Sequence, residues 1–262
     1  MKALHLTACV VALLWLDGAA LAQTKAPAPD YTLSYNIGAV SDYRYRGLSQ
    51  TSLGPALQGG LDFAHTKGLY LGAWASNVKW LKDLNGATQG EYELDLYGGY
   101  KSTLGSGLGL DLGVIAYRYP GNNSGAAGTP GAGAFTNANT KEFYGAASYN
   151  IVTVKYSQSV GDFLGNPNST ASRYWEVSAN LDLGRGLTLT PRVGRQTIPN
   201  VIANLGDYTD YALTLAKDFS NGLVLSAAAV ATNADQGFYT DSFGDKKFLG
   251  KSTVVLGLKY SF

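Results

Sequence analysis

The chain contains very little sulfur and very little histidine. Its 262 residues include one cysteine, one methionine and two histidines. Cys9 lies in the apolar N-terminal segment, so an exported chain that has lost this segment could form no disulfide. A Ser–His–Asp site needs a histidine base, and zinc sites need several cysteine or histidine ligands. After loss of the N-terminal segment only His65 remains, and it falls in a predicted turn. We therefore expect no enzyme activity, no metal site and no cofactor.

The sequence also lacks an excess of charge of one sign and lacks long apolar runs. Lys plus Arg number 20 and Asp plus Glu number 19, and no block of like charge suggests nucleic-acid binding. After the N-terminus, no stretch approaches the roughly 18 to 20 continuous apolar residues of a transmembrane helix. The remaining classes are a soluble periplasmic β protein and an outer-membrane barrel whose alternating strands produce no hydropathy peak.

The N-terminus has the features of a secretory signal peptide. Lys2 supplies a positive start, an apolar stretch follows, and Ala20-Leu21-Ala22 forms a small-x-small cleavage site. The apolar stretch is too short to span a membrane as a helix. The expected organisation is a signal peptide at 1–22, a short Pro/Ala-rich lead-in at 23–30 and a transmembrane barrel at 31–262.

Glycine and tyrosine are abundant, with 33 and 18 residues, and this composition favours β-structure. The clearest strand is the last one, from Lys251 to Phe262. Its apolar or aromatic side chains stand at every second position, which predicts one apolar and one polar face. These positions are Val254, Leu256, Leu258, Tyr260 and Phe262. A barrel in a bilayer places such aromatic ends at the membrane–water interface.

The same alternation recurs along the chain and predicts about twelve strands. The predicted connections alternate in length. Short joins fall near 65–67, 103–107, 150, 184–186 and 220–222, and longer ones at 46–54, 77–90, 120–140, 161–172, 196–207 and 232–250. Tight periplasmic turns and long external loops in strict alternation are typical of outer-membrane barrels. We therefore predict an all-β fold, a transmembrane antiparallel up-and-down β-barrel of about 12 strands. A soluble barrel binding an apolar ligand inside is the alternative.

Two strands carry more detailed expectations. The first is predicted to run from Tyr31 to Arg46, with Tyr43 and Tyr45 outward and the arginines of this segment inward. In the ninth strand, Pro191 cannot donate a ladder hydrogen bond, so a bulge is expected there.

The charged residues predicted to face the lumen have both signs. They are Arg44, Arg46, Glu91, Glu93, Asp95, Lys101, Asp111, Lys155, Glu176, Asp182, Arg192 and Lys259. Such residues line a water-filled channel and select among ions and solutes, or they pair across a narrow lumen and plug it. Both outcomes remain open from the sequence.

Several segments resemble the TorF family of outer-membrane porins. The resemblance is carried by Tyr45-Arg46-Gly47-Leu48-Ser49 and by the E-x-D-x-Y-x-G-Y strand from Glu93 to Tyr100. It is specific over about residues 34 to 102, and then becomes a general barrel resemblance to Phe262. It implies a porin-like barrel and carries no catalytic residues.

The sequence thus predicts a porin-like channel in the cell outer membrane for passive diffusion of small hydrophilic solutes or ions. The alternative is a non-conducting barrel with a structural role or with loops that bind a partner. The expected partners are outer-membrane lipid, small hydrophilic solutes and the barrel assembly machinery, which would read Tyr260 and Phe262 as an assembly signal.

Overall fold

The computed structural model describes residues 29–105 and 107–262. The expected signal peptide, with Cys9, and most of the lead-in lie outside the described residues. No helix in the described part of the chain is long and apolar enough to cross a membrane.

One antiparallel sheet closes on itself to form a barrel of twelve strands. The strands are β1 (Tyr31–Val40), β2 (Ala56–His65), β3 (Leu69–Asn77), β4 (Tyr92–Thr103), β5 (Gly109–Arg118), β6 (Thr140–Tyr149), β7 (Val152–Ser159), β8 (Arg173–Ala179, continued as Leu181–Gly184), β9 (Leu187–Thr197), β10 (Tyr208–Asp218), β11 (Leu223–Thr232) and β12 (Thr253–Ser261). Each strand pairs with its neighbours in sequence. Pairing of β1 with β12, from Asn36↔Ser261 to Val40↔Gly257, completes the ring and confirms the predicted fold class.

The predicted alternation of short and long connections is confirmed. The short turns are 66–68, 104–108, 150–151, 185–186 and 219–222, and they lie at the same end as both ends of the described chain. The long connections are 41–55, 78–91, 119–139, 160–172, 198–207 and 233–252, all at the opposite end. We call these the short-turn end and the long-loop end.

The outer surface of the barrel is an apolar band. Large hydrophobic side chains alternate along every strand and remain exposed, as in Leu33 and Ile37 of β1 and Leu256 and Leu258 of β12. Adjacent strands place these side chains in the same row, since Ile37 pairs with Tyr260. An exposed band of this extent is unfavourable in water and favourable in lipid.

The buried apolar core lies in the long loops rather than inside the barrel. One cluster includes Trp80 and Leu81 of the short helix α1 (Trp80–Asp83), together with Tyr119 and Leu249. The second includes Leu48, Tyr208, Ala234 and Tyr239. The long loops therefore pack into a compact cap over one mouth of the barrel.

The first strand is shorter than the sequence predicted. It ends at Val40, and the chain then enters the barrel mouth, where two-residue strands Arg44–Tyr45 and Leu48–Ser49 pair as a hairpin. The expectation that Tyr43 and Tyr45 face outward is wrong. The Tyr43 hydroxyl donates to Glu93 inside the barrel mouth, and both rings pack against the buried cluster of the long loops, so neither faces the lipid.

Pro191 affects the strand beside it instead of its own. β9 is continuous through Pro191, which pairs with Leu213 of β10. The bulge expected at Pro191 is not present. On the other side of Pro191, β8 is interrupted between Ser178↔Arg192 and Leu181↔Leu189 with the register kept, and the register shift of this ladder lies between Asp182 and Gly184. The missing N–H of proline removes the ladder hydrogen bond at this position.

Candidate pore constriction

The hairpin of residues 44–49, here called the plug hairpin, turns on Arg46 and Gly47. Both have positive φ, 48° and 83°, as a two-residue type I′ turn requires. Glycine is needed at the second position for space as well, because a Cβ on Gly47 would lie 2.6 Å from the Cβ of Asp210. The Tyr-Arg-Gly-Leu-Ser motif thus forms a tight turn whose tip contacts β10.

The segment leading into the plug hairpin contacts successive strands of the wall. The Tyr43 hydroxyl donates to the Glu93 carboxylate of β4 at 3.0 Å, and its ring meets Trp74 of β3 edge-on at 5.3 Å. Burial and the adjacent Glu93 raise the pKa of Tyr43, so the phenol remains a neutral donor. Tyr45 packs edge-on against Tyr117 of β5 at 5.5 Å.

Arg46 reaches the wall farthest from β1. Its guanidinium donates to Glu142 of β6 at 2.6 Å and to Gln196 of β9 at 2.7 Å. The ring of Tyr174 on β8 lies 4.3 Å from the guanidinium carbon, and that of Phe163 lies 5.4 Å away. Because β6 to β9 stand opposite β1 in a ring of twelve, Arg46 spans the lumen. Its side chain is only 7% exposed.

A second arginine fixes the shape of the plug hairpin. The Nε of Arg44 lies 2.6 Å from Asp42, and one terminal nitrogen donates to the carbonyls of Gly47 and Leu249 at 3.0 and 3.1 Å. The other oxygen of Asp42 accepts from Ser49 at 2.6 Å. The hairpin is therefore tied both to itself and to the last long loop.

A separate charged network lies on the wall beside the hairpin tip. Arg192 of β9 forms ion pairs with Asp210 of β10 at 2.7 Å and with Glu176 of β8 at 3.1 Å. Tyr174 joins the two systems, since its hydroxyl donates to Asp210 and accepts from Arg192 while its face meets Arg46. These contacts satisfy charges that would be costly to bury alone.

Toward the short-turn end, the lumen is lined by tyrosines and less buried charges. Tyr70 of β3 donates to Asp111 of β5 at 2.6 Å and lies 2.5 Å from the hydroxyl of Tyr144 on β6. Lys155 and Lys101 lie over the rings of Tyr144 and Tyr70 at 4.4 and 4.7 Å. This half of the lumen keeps polar groups in reach of a passing solute.

Most of the residues that the sequence assigned to the lumen lie at inward-facing positions of the strands. These are Glu93, Asp95, Lys101, Asp111, Lys155, Glu176, Asp182, Arg192 and Lys259. Arg44 and Arg46 enter the mouth from the plug hairpin. Glu91 precedes β4 and is exposed, and its ion pair with Lys82 at 2.6 Å lowers the pKa of Glu91.

Sequence reasoning missed several inward residues that hold the constriction. They include Glu142, Asp210 and Gln196. The signal was present, because strand alternation from Tyr144 places Glu142 inward and alternation from Arg192 places Gln196 inward. With these residues and Asp62, the inward carboxylates outnumber the bases Lys101, Lys155, Arg192 and Lys259, even when Arg44 and Arg46 of the plug hairpin are added to the bases.

Above the plug hairpin, the long loops enclose an aromatic vestibule of about 390 Å³. Its lining includes Tyr45, Trp80, Phe163, Phe238 and Leu249. The vestibule and the charged constriction follow one another along the barrel axis. Among the described residues, no cluster of His, Cys, Asp and Glu side chains is placed to hold a metal ion.

Comparison with protein families gives one match that covers nearly the whole chain. The model of a family described as "Bacterial protein of unknown function (Gcw_chp)" matches residues 24–262. No curated protein matches the sequence.

Solved structures of similar fold are outer-membrane porins. A KdgM porin superimposes with a TM-score of 0.52 at 8% identity, covering 87% of this chain and 99% of that one. A NanC porin gives 0.51 at 10% identity, covering 88% and 99%. A KdgM porin in complex with disordered oligogalacturonate gives 0.50 at 7% identity, covering 88% and 98%. At these identities the likeness concerns the fold.

Proposed function

This chain belongs to the Gcw_chp family of bacterial proteins of unknown function, and we propose that it is an outer-membrane channel for passive diffusion of small hydrophilic solutes. The observation that carries the proposal is the position of Arg46. It narrows a polar lumen by bridging to Glu142 and Gln196 on the far wall. A hairpin that crosses the lumen and is held to the far wall by side-chain contacts is suited to limiting solute size.

The polarity of the two barrel faces supports a water-filled path. The outer positions along the middle of the strands are apolar, while the inner positions carry charges, amides and hydroxyl groups. The fold is shared with porins, and passive diffusion needs only size exclusion and charge at the constriction.

The sign of the inner charges supports a preference for cations. The inward strand positions include the carboxylates of Asp62, Asp111 and Glu176, which are only partly buried. Excess negative charge in a narrow pore attracts cations and repels anions. The KdgM porin was solved with oligogalacturonate, an acidic saccharide. For the present chain we propose neutral or cationic solutes instead.

Single-channel recording in planar bilayers tests this proposal. With a salt gradient across the membrane, the reversal potential should have the sign of a cation-selective pore. Arg46→Gln should raise the conductance or the open fraction, because the lost ion pair frees the hairpin. Lys259→Gln, an inward change away from the plug hairpin, is the matched control and should leave the open fraction unchanged. An anion-selective pore would contradict the proposed solute class.

A second candidate is a non-conducting barrel that uses its long loops for binding. The loop cap, with its aromatic vestibule and buried clusters, favours this alternative. The Arg46→Gln variant separates the two. A barrel that gives no discrete conductance steps with or without Arg46 would support the loop-binding role.

Finer assignments complete the proposal. We propose that the Tyr45–Ser49 motif and the strand from Glu93 to Tyr100 place the chain in the TorF family of porins. We also propose export from a Gram-negative cytoplasm through the signal peptide 1–22, a non-enzymatic role, and assembly guided by Tyr260 and Phe262.

A further inference from the structure

Four basic side chains face away from the lumen at the long-loop end of the barrel. Arg118 of β5, Lys141 of β6, Arg173 of β8 and Arg195 of β9 all occupy outward positions and are exposed. Other residues on the same face of these strands are lipid-facing, such as Val114, which is 61% exposed. We call these four residues the basic arc.

The basic arc extends from β5 to β9, with the uncharged Gln158 at the corresponding outward position of β7. Lys141 pairs with Ala116, so it is a diagonal neighbour of Arg118, and Arg173 pairs with Thr197, so it is a diagonal neighbour of Arg195. On the opposite side, the outward strand positions at this level are uncharged among the described residues. They include Ala39, Leu57, Ala75, Ala231 and Val254.

The charges of the basic arc are largely free. Among the ion pairs of the described residues, none involves Arg118, Lys141 or Arg173. Arg195 has one ion pair, to Asp207 at 3.7 Å, and a hydrogen bond to Thr209 at 3.4 Å, and its side chain is 50% exposed. Unpaired cations on the outer surface of a barrel are unfavourable in lipid and favourable beside anionic headgroups.

Aromatic rings stand directly on the membrane side of the basic arc. Phe143, Tyr156 and Trp175 form a row on β6, β7 and β8, with ring centroids 6.4 and 4.6 Å apart. Phe143 and Trp175 each lie two positions along the strand from a cation of the arc, and the Tyr156 hydroxyl donates to Gln158 at 2.5 Å. Aromatic rows mark the membrane–water interface, so the basic arc lies at headgroup level.

Next to this row the outer surface has an apolar groove. It extends over β8 to β11 with a volume of about 660 Å³, and its outward lining includes Val177, Ala179, Val193, Leu213 and Ala229. Because the alanine side chains are small, the space above them forms a groove between larger neighbouring side chains. An extended hydrocarbon chain fits a groove of this chemistry, beside the headgroup-level cations of β8 and β9.

We propose that the basic arc binds the phosphate groups of a phosphorylated glycolipid in the outer leaflet, with one acyl chain in the adjacent groove. The long loops set the orientation, since this end of an outer-membrane barrel faces outward. The cations contact the phosphate groups, and the groove contacts the acyl chain. The aromatic row between them marks the membrane–water interface. The site lies on the lipid side of the wall and is independent of conduction through the lumen.

Native mass spectrometry of the purified barrel in detergent tests the proposal. The probes are lipid A with two phosphates, the same lipid after dephosphorylation, and inorganic phosphate alone. Wild-type protein should retain bisphosphorylated lipid A, and dephosphorylation should weaken binding by at least about tenfold, as expected for the loss of several charge contacts. Inorganic phosphate should not bind detectably, because it has no acyl chain for the groove.

Charge-matched variants distinguish a site from general attraction. R118Q/K141Q/R173Q should lose about tenfold in affinity for lipid A. The control, K67Q/R185Q/K217Q, removes the same charge from the short-turn end and should bind as wild type. Equal losses in both variants, or equal affinity of wild-type protein for the two lipid forms, would overturn the proposal. The comparison of lipid forms on wild-type protein holds even if a triple variant fails to fold.

Discussion

The guanidinium of Arg46 lies 2.6 Å from the carboxylate of Glu142, although the two residues are 96 positions apart and come from opposite sides of the barrel. Both side chains are almost fully buried, at 7% and 1% exposure. A buried pair of this kind adds little net stability, but it is costly to break from one side. The contact therefore fixes where the plug hairpin stands, and it makes the hairpin sensitive to loss of either partner.

A double-mutant cycle on this pair should show strong coupling. Arg46→Ala leaves Glu142 buried without its cation, so we expect about 3–5 kcal/mol of destabilisation. Adding Glu142→Gln should restore part of that loss, because a neutral amide is cheaper to leave unpaired. Urea titration of the folded, heat-modifiable barrel measures the free energy of unfolding. The exposed Lys82–Glu91 pair is the control and should show no measurable coupling. Additive effects at Arg46 and Glu142 would contradict the bridge.

Gly47→Ala should displace the plug hairpin. The φ of 83° disfavours alanine, and the new Cβ would lie 2.6 Å from the Asp210 Cβ. Displacement should increase the open fraction in single-channel recordings. Gly128→Ala is the matched control, because Gly128 has a φ of 82° but a Cβ added there would have no atom within 4 Å. The same channel behaviour in both variants would show that backbone strain, and not the contact with Asp210, is responsible.

Neutralising the inner carboxylates should reduce cation preference. Asp62 of β2 and Asp111 of β5 lie on the inner face of the barrel and are only partly buried. We expect D62N/D111N to move the reversal potential toward zero. Glu91→Gln removes a carboxylate that is exposed outside the strands and should have no effect. If the reversal potential is unchanged in D62N/D111N, these residues do not determine selectivity.

The barrel could be predicted from the sequence because strand alternation has a period of two and the short turns are clearly marked. The same alternation placed Glu93, Lys155 and Arg192 on the inner face. The plug hairpin could not be predicted in this way. The alternating pattern continues unchanged past Val40, so it does not show where the strand ends.

The partners of Arg46 also could not be predicted, for a different reason. Glu142 and Gln196 approach it only because the sheet closes into a ring and brings distant strands face to face. A local pattern contains no information on such a contact. The one local signal for a two-residue hairpin was the glycine of Arg46-Gly47, which stands between two residues that can pair as strands.

Phe262 closes the barrel against β1 with both backbone and side-chain contacts. Its N–H and C=O each hydrogen-bond with Tyr35 at 3.0 Å, and the two rings stack with centroids 5.9 Å apart. The ring is nevertheless 68% exposed to the membrane side. Removing Phe262 thus deletes two hydrogen bonds at the end of the β1–β12 ladder. The rest of this ladder, from Asn36 to Val40, stays in place.

Deleting Phe262 should therefore impair insertion more than the stability of the inserted barrel. The remaining β1–β12 ladder should hold the ring closed, so the urea midpoint of purified, folded protein should fall only slightly. The fraction of heat-modifiable barrel in outer membranes should fall severely, since the terminal aromatic would no longer be available during assembly. Phe262→Ala keeps the backbone hydrogen bonds and removes only the ring, so it separates the two contributions. Normal membrane assembly of both variants would contradict an assembly role for Phe262. A large loss of stability in the deletion alone would show that Phe262 matters for the β1–β12 pairing instead.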